Sequence, residues 1–390
     1  VKVLVLDEKA RALHLVLKAS AAGHDVRWYA PDSDTGKGFR GFERVDNWVG
    51  SAGWADIIFN AGCEKQEPKL RQMMERKYPI WNTPCEIEFD DYEDLAPPTQ
   101  KHDSVASAMT ALYAKPERYV LKGEDVDTYE SHSAADMVAH LRDMIFFDGD
   151  LLLQEYVDGL QVTVVRSFTA DGWVGPIYEG LTETGFGHMV GESKVFDDSL
   201  GKLTSVLQER NFCGTVMAKC CVSDDGKLFV FKVKCGWPKS LVTYAPSEDM
   251  MAWVAAALKG DAPSANYKTD ISYYVKLETE DIGFPVYGIS RGVLAHAHPL
   301  EVSLRRVPDM SAENTIVERD LWVTTGEYVT VVDGYGSSAR QAMKRAMSTV
   351  EKIYTAGIEP DIEEEYFENL KENVAFAQSQ GYLKDFVYGG

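Results

Sequence analysis

Short apolar runs alternate with amphipathic stretches over the first quarter of the chain. Val3–Leu6 is apolar without interruption, the pattern of a parallel strand covered on both faces. Asp7 follows as a helix N-cap. Leu13, Val16, Leu17 and Ala21 then recur at helical spacing up to Gly23. Val26–Tyr29 and Ile57–Asn60 read as strands, Leu70–Arg76 as a helix and Tyr78–Trp81 as a last short strand. This βαβ rhythm predicts an open parallel sheet in an N-terminal domain over residues 1–95. Glu86–Asp103 carries Asp90, Asp91, Glu93, Asp94 and Pro97–Pro98 and reads as a solvated linker.

The rhythm changes over 104–262. Helices Val105–Tyr113 and Ala134–Ile145 lead into strands Tyr119–Lys122 and Leu151–Tyr156. Three β-rich segments follow at Val162–Thr169, Trp173–Glu179 and Lys194–Phe196, with Asp171–Gly172 as a hairpin turn. Ser199–Glu209 reads as a helix. Val216–Val222 and Lys227–Lys234 pair across Ser223–Gly226, and helix Met250–Leu258 closes the block. The last block, 263–390, holds strands near Ser272–Lys276, Val293–His296 and Tyr328–Val332. Its helix Ser338–Ile353 shows an apolar face of Met343, Ala346, Met347 and Val350. An acidic helical tail from Glu363 is anchored by Tyr366, Phe367, Leu370, Val374 and Phe376. The pattern predicts an α/β domain followed by α+β parts.

Composition narrows the partners. The 390 residues carry 40 Lys and Arg against 61 Asp and Glu, a formal net charge of −21. Such a surface repels a nucleic-acid backbone or an anionic membrane, though it leaves room for a local basic groove. No apolar run reaches the ~18–20 residues of a membrane span, and Val1–Leu6 is too short for a signal h-region. The six cysteines, at 63, 85, 213, 220, 221 and 235, form no C-x-x-C pair. Reduced thiols and a cytoplasmic location are therefore expected, and no zinc site.

Four segments carry a resemblance. Tyr119-Val120-Leu121-Lys122 resembles the strand whose lysine contacts nucleotide phosphate in ATP-grasp ligases. Leu153 to Gly159 resembles their adenine hinge, and Leu228 to Pro238 their metal-binding strand and the turn after it. Val323 to Ala342, with Gly334-Tyr335-Gly336 entering an Ala-rich helix, resembles the closing domain of glycinamide ribonucleotide synthetase (phosphoribosylamine–glycine ligase). The resemblance implies an ATP-grasp architecture: an N-terminal βαβ domain, a central ATP-grasp domain and a C-terminal mixed cap. It implies ATP as cofactor, with Lys122 at the phosphates and Glu155, Tyr156 and Val157 offering backbone groups to adenine. The family joins a carboxylic acid to an amine through an acyl phosphate. Its Mg²⁺ ions neutralise developing charge.

The chemistry-bearing positions depart from that pattern. The family's metal strand carries Glu and, two residues on, Asn, whose oxygens share a face because side chains alternate. Here those positions are Val230 and Lys232 or, shifted by two, Lys232 and Lys234. Neither register offers a carboxylate, and an ammonium is no Mg²⁺ ligand. Three readings stay open: solvent-facing lysines, a metal-free anion site, or true ligands elsewhere. The stretch after Lys122, Gly123 to Glu130, has one glycine and four carboxylates, where the family has a glycine-rich phosphate loop. In the opening loop, Asp7 to His14, only Arg11 keeps the place of a phosphate-holding residue. Phosphoribosylamine is therefore an unexpected substrate. Gly185 and Gly187, in Thr182–Gly191, resemble the loop over the acyl-phosphate site or form a hairpin tip. His296 and His298 flank Ala297 and would share a strand face, with no third metal ligand evident.

No catalytic residue and no metal ligand can be named from this pattern. Two functions stand. One is a degenerate ATP-grasp protein that binds or assembles without Mg·ATP chemistry. The other is an active ligase for an unknown acid and amine. A protein partner is equally open. A scaffold kept while its motifs diverge suits a virus-encoded relative of the purine enzyme, by analogy alone, working in a host cytoplasm.

Overall fold

The computed structural model describes residues 1–390 except 32, 124–125, 183, 238–243, 245–247, 262–266, 311–314, 363–366, 368 and 390, and the side chains of Glu64 and Met310. Of the residues singled out above, Glu124, Asp125, Glu183, Pro238, Glu363 and Tyr366 lie outside the described residues.

Among the described residues the strands form four sheets. The first is parallel, in the spatial order Glu43–Arg44, Asp25–Tyr29, Lys2–Leu6, Ile57–Asn60, Ile80–Trp81. The chain leaves Lys2–Leu6 toward one edge and returns on its other side at Ile57–Asn60. The loops after these two neighbours therefore diverge, and a crevice opens at their carboxyl ends. Asp7 does not cap the first helix, which spans Leu13–Ala21. It sits fully buried in the loop, where its carboxylate accepts the Ala12 N–H at 2.6 Å.

The second sheet is antiparallel, in the order Thr99–His102, Leu151–Glu155, Tyr119–Gly123, Val126–Glu130. Part of the expected linker is thus a strand. Within the acidic stretch after Lys122, Val126–Glu130 is a strand that pairs antiparallel with Tyr119–Gly123, Gly123 opposite Val126. Helices Val105–Ala114 and Ala134–Asp143 bury Ala108, Leu112, Met137 and Leu141 against this sheet.

The largest sheet runs Leu228–Cys235, Gly214–Ser223, Gly159–Thr169, Gly172–Leu181, Phe186–Val190, Ile271–Glu278, Tyr328–Gly336, Ala297–Pro299. It continues across residue 262 through Phe186 opposite Tyr273 and Gly187 opposite Ser272. Aromatic contacts weld it to the first sheet: Phe59 meets Trp237 edge-on at 5.6 Å and Trp81 meets Trp253 at 5.8 Å. Each fully buried ring of this size contributes roughly 1.5–3 kcal/mol. Helix Ala339–Val350 lies on Tyr328–Gly336. A Cβ on Gly334 would come 2.3 Å from the Ala342 carbonyl oxygen. The glycines of this segment therefore serve close helix–strand approach.

Several local readings differ. Lys194–Asp198 is a helix capped by Ser193, although Val195 and Phe196 look strand-like; both are buried from a helical turn. Arg291–Leu294 is helical, and the strand begins at Ala297. In the tail helix Leu370–Ser379 the buried face is Leu370, Val374 and Ala377, while Phe376 points outward. A long hairpin, Val302–Met310 with Ile316–Thr324, had no expectation attached to it.

Candidate functional site

The crevice at the strand ends widens into a cavity of about 780 Å³ between the first and largest sheets. Arg11, Asn60, Gly62 and Asn82 line it from one side, and Lys219, Lys234 and Lys276 from the other. Its parallel-strand loops are tied together. Asn60 Nδ2 donates to the Asn82 carbonyl at 3.0 Å, and Asn82 Nδ2 donates back to the Asn60 carbonyl at 2.9 Å. Asn82 Oδ1 accepts the Thr215 N–H at 2.8 Å, which fixes the loop to the largest sheet. Gly214 permits this approach, since a Cβ there would lie 2.6 Å from Asn82 Cα.

The strand Leu228–Cys235 shows which way Val230, Lys232 and Lys234 face. Its pairing with Gly214–Ser223 places Lys232 opposite Lys219, then jumps to Val230 opposite Cys220. Phe231 is the extra residue of a β-bulge, and a bulge shifts the faces by one. Val230 therefore points into the core at 1% exposure, with Val233 beside it. Lys232 and Lys234 are exposed on the other face. Of the two expected registers, the one using Val230 fails. In the other, both positions are exposed lysines. Among the described residues no three His, Cys, Asp or Glu side chains are grouped to hold a metal ion.

The bulge also frees the Phe231 carbonyl from the ladder. Lys122 Nζ donates to it at 2.8 Å and to Gln154 Oε1 at 2.7 Å. Lys122 thereby bridges the second and largest sheets. Burial, then the charge of Lys232, lowers its pKa to about 8. Lys219, Lys232 and Lys122 follow one another across the facing surfaces. Lys219 was not foreseen, because regular counting back through the Ser223–Gly226 turn sets it opposite Phe231 and only the bulge brings it opposite Lys232.

The hinge is partly committed. The Glu155 N–H donates to Pro98 O at 2.9 Å and the Tyr156 N–H to Arg118 O at 3.0 Å. The Glu155 carboxylate pairs with Lys115 at 2.5 Å, and the Arg118 guanidinium stacks 3.4 Å above the Tyr156 ring. The Val157 N–H has no backbone partner among the described residues.

Other expected residues find different surroundings. Arg11 pairs with Glu301 at 2.9 Å and lies 4.1 Å from the Tyr328 ring centroid, at the cavity wall. Gly185 has φ +76° and lines the cavity. A Cβ there would stand 2.1 Å from the Tyr274 carbonyl oxygen. Gly187 lies in the strand Phe186–Val190 with Tyr178 pressed over it. Both glycines serve packing. His296 Nδ1 and His298 Nε2 face the same carboxylate, Asp333, at 3.0 and 2.8 Å.

Cys85 and Cys235 meet at the cavity wall, because residues 82–85 are zipped onto 213–215 next to the end of Leu228–Cys235. Contact with Cys235 lowers the Cys85 pKa, while the same contact and burial raise Cys235. Burial pushes Cys213, Cys220 and Cys221 up to about 12. At neutral pH, limited iodoacetamide should therefore label Cys85 at least ~10-fold faster than Cys220 or Cys221. Peptide mapping reads this directly, and uniform labelling would contradict the geometry.

No protein-family model matches this sequence, and no curated protein matches it. Solved structures do. Phosphoribosylamine–glycine ligase from Thermotoga maritima superposes with a TM-score of 0.66 at 13% identity, covering 93% of this chain and 100% of that one. N5-carboxyaminoimidazole ribonucleotide synthetase from the same organism gives 0.62 at 12% identity, over 91% and 99%. The Staphylococcus aureus N5-carboxyaminoimidazole synthetase, complexed with ADP, gives 0.57 at 11% identity, over 90% and 97%. The parallel sheet, the second antiparallel sheet and the large sheet with its C-terminal extension thus form an ATP-grasp fold over nearly the whole chain.

Proposed function

We propose that this protein binds a phosphorylated small molecule, a nucleotide first of all, with lysines in place of Mg²⁺, and that it does not form acyl phosphates. The observation that supports this reading is the bulged strand, which puts Lys232 and Lys234 on the same face as Lys219, with Lys234 at the cavity wall, and buries Val230. Lys122 would hold phosphate oxygens, Lys232 would take over the charge of a metal ion, and the Val157 N–H would meet the adenine edge. Arg11 and Lys234 would face the far end of the ligand in the cavity. A cation about 4 Å from a phosphate is worth a few kcal/mol at an effective dielectric of about 20. In a chain of net charge −21 such a cleft stands out as a local anion trap.

Lys122 gives the reading a pH signature. Its free-state pKa of about 8 lies below the usual ~10.4 of a lysine. A bound anion favours the ammonium and raises that pKa, so binding near pH 8 takes up a proton. Affinity for tripolyphosphate should hold up to about pH 8 and fall above it as the free protein loses the proton. Lys122→Met should flatten the profile. Calorimetry in buffers of different ionisation enthalpy measures the uptake, and no net uptake at pH 8 would remove Lys122 from the site.

The alternative is an ATP-dependent carboxylate–amine ligase. The intact architecture and the roomy cavity favour it, and the structural neighbours named as ligases and synthetases suit it. Release of ADP from Mg·ATP on adding acids and amines separates the two: the binding reading predicts none above background.

A further inference from the structure

A second cavity, of about 400 Å³, lies on the other side of the Leu13–Ala21 helix, between it, the start of Ile271–Glu278 and helix Met250–Ala257. No step of the proposed function uses it. Lys18 lines it and makes no hydrogen bond or ion pair among the described residues. It is water-accessible, yet enough protein surrounds the ammonium for burial to lower its pKa. Asp333 opposes that shift and Lys268 adds to it. The Asp333 oxygens are meanwhile held by His296 and His298.

Among the described residues, two more nitrogens in the lining lack partners. His14 is 3% exposed with Nδ1 unbonded, and Trp237 is 8% exposed with Nε1 unbonded. Burial, then Lys18, then His298, holds the His14 pKa well below its usual value, so the imidazole is neutral and can donate from Nδ1 in one tautomer. Buried polar groups without partners are uncommon, and each calls for a complement. The wall also carries Tyr244, Tyr267, Tyr335 and the thioether of Met189, with His188, Ser272 and Lys268, whose ammonium lies 4.4 Å from the Tyr335 ring centroid. A concave apolar space with a few convergent donors is the usual form of a small-molecule site. Carboxylates are present too. Asp249 is committed to His24 and the Ala252 N–H, while Glu248 and Asp270 are exposed.

We propose that this cavity is a second ligand site, for a small carboxylate carried on a flat ring. Lys18 holds the carboxylate, His14 and Trp237 complete its contacts, and Tyr267 packs on the ring. The site works independently of the central cavity, although Trp237 lines both.

Calorimetry on the full chain with benzoate as probe tests this, with benzyl alcohol as the uncharged control and benzylamine as the cationic one. Benzoate should bind at least ~10-fold more tightly than either control. Lys18→Met should lower benzoate affinity at least ~10-fold, and Lys18→Arg should restore most of it. The central-cavity double variant Lys232→Glu/Lys234→Glu should bind benzoate unchanged. Lys18→Met removes a cation without partners, so the chain should fold, which a melting curve checks. No benzoate binding at millimolar concentration would overturn the proposal. So would equal binding of benzyl alcohol, preference for benzylamine through Glu248 and Asp270, or indifference to Lys18→Met.

Discussion

Replacing Lys232 and Lys234 together by glutamate abolishes binding of ATP and of tripolyphosphate in EDTA, while the protein melts within about a degree of the original. Both side chains are exposed on the cleft face, so the substitutions create no buried charge. Surface replacements of this kind usually change stability by less than about 0.5 kcal/mol. The effect on an anion is far larger. Two attractive charges become two repulsive ones, and even after solvent screening the affinity should fall at least ~100-fold. Lys122 would remain, held by Gln154 and the Phe231 carbonyl, but would face carboxylates alone. An affinity unchanged by the double substitution would mean that these lysines only decorate a solvated strand.

Val230→Glu unfolds the domain or lowers its stability by about 3–5 kcal/mol, as expected for a buried charge without a partner. The side chain at 230 is 1% exposed and packs in the main core. A glutamate there therefore cannot reach a metal in the cleft. Lys232→Glu, two residues on, should be tolerated because it points the other way. The contrast is a direct assay of the bulge at Phe231. If Val230→Glu were tolerated and the urea midpoints of the two variants agreed, the strand would lack the bulge. The unbulged register, with 230 and 232 on one face, would then be correct.

These two experiments mark where the sequence was readable. Alternation located the hairpin Gly214–Ser223 with Leu228–Cys235 to within two residues, because Ser223-Asp224-Asp225-Gly226 is a strong turn. It could not locate the bulge, which leaves no mark in a run of Val, Phe and Lys. The whole metal-site register hinged on that one residue. The opening sheet was legible because its buried parallel strands are continuous apolar runs. The hairpin Val302–Met310 with Ile316–Thr324 was not, since Arg305, Arg306, Asp309 and Arg319 leave it no clean apolar face. The glycines of Thr182–Gly191 suited a ligand loop and a hairpin tip equally; Phe186–Val190 is a strand paired with Gly172–Leu181, and Gly187 accommodates Tyr178.

The site was legible in proportion to how local it is. Lys122, Lys232 and Lys234 stood out because the resemblance attached roles to strand positions. Lys219 needed the bulge as well as the hairpin register. Cys85 beside Cys235 and Lys18 beside His14 and Trp237 depend on contacts between distant segments, and no spacing rule announces them. Glycines proved the poorest guide. Those at 185, 187, 214 and 334 look like ligand loops or turns in sequence, yet each permits a close approach between neighbouring parts of the chain.

The central claim is an anion site that works without a metal. Titration calorimetry with ATP, once in Mg²⁺ and once in EDTA, tests it most directly. The lysine-built site predicts binding of equal or greater strength in EDTA, because free ATP carries the full charge that Lys122 and Lys232 recognise. Binding that appears only with Mg²⁺ would contradict it and would mean that oxygen ligands for the metal exist elsewhere in the cleft.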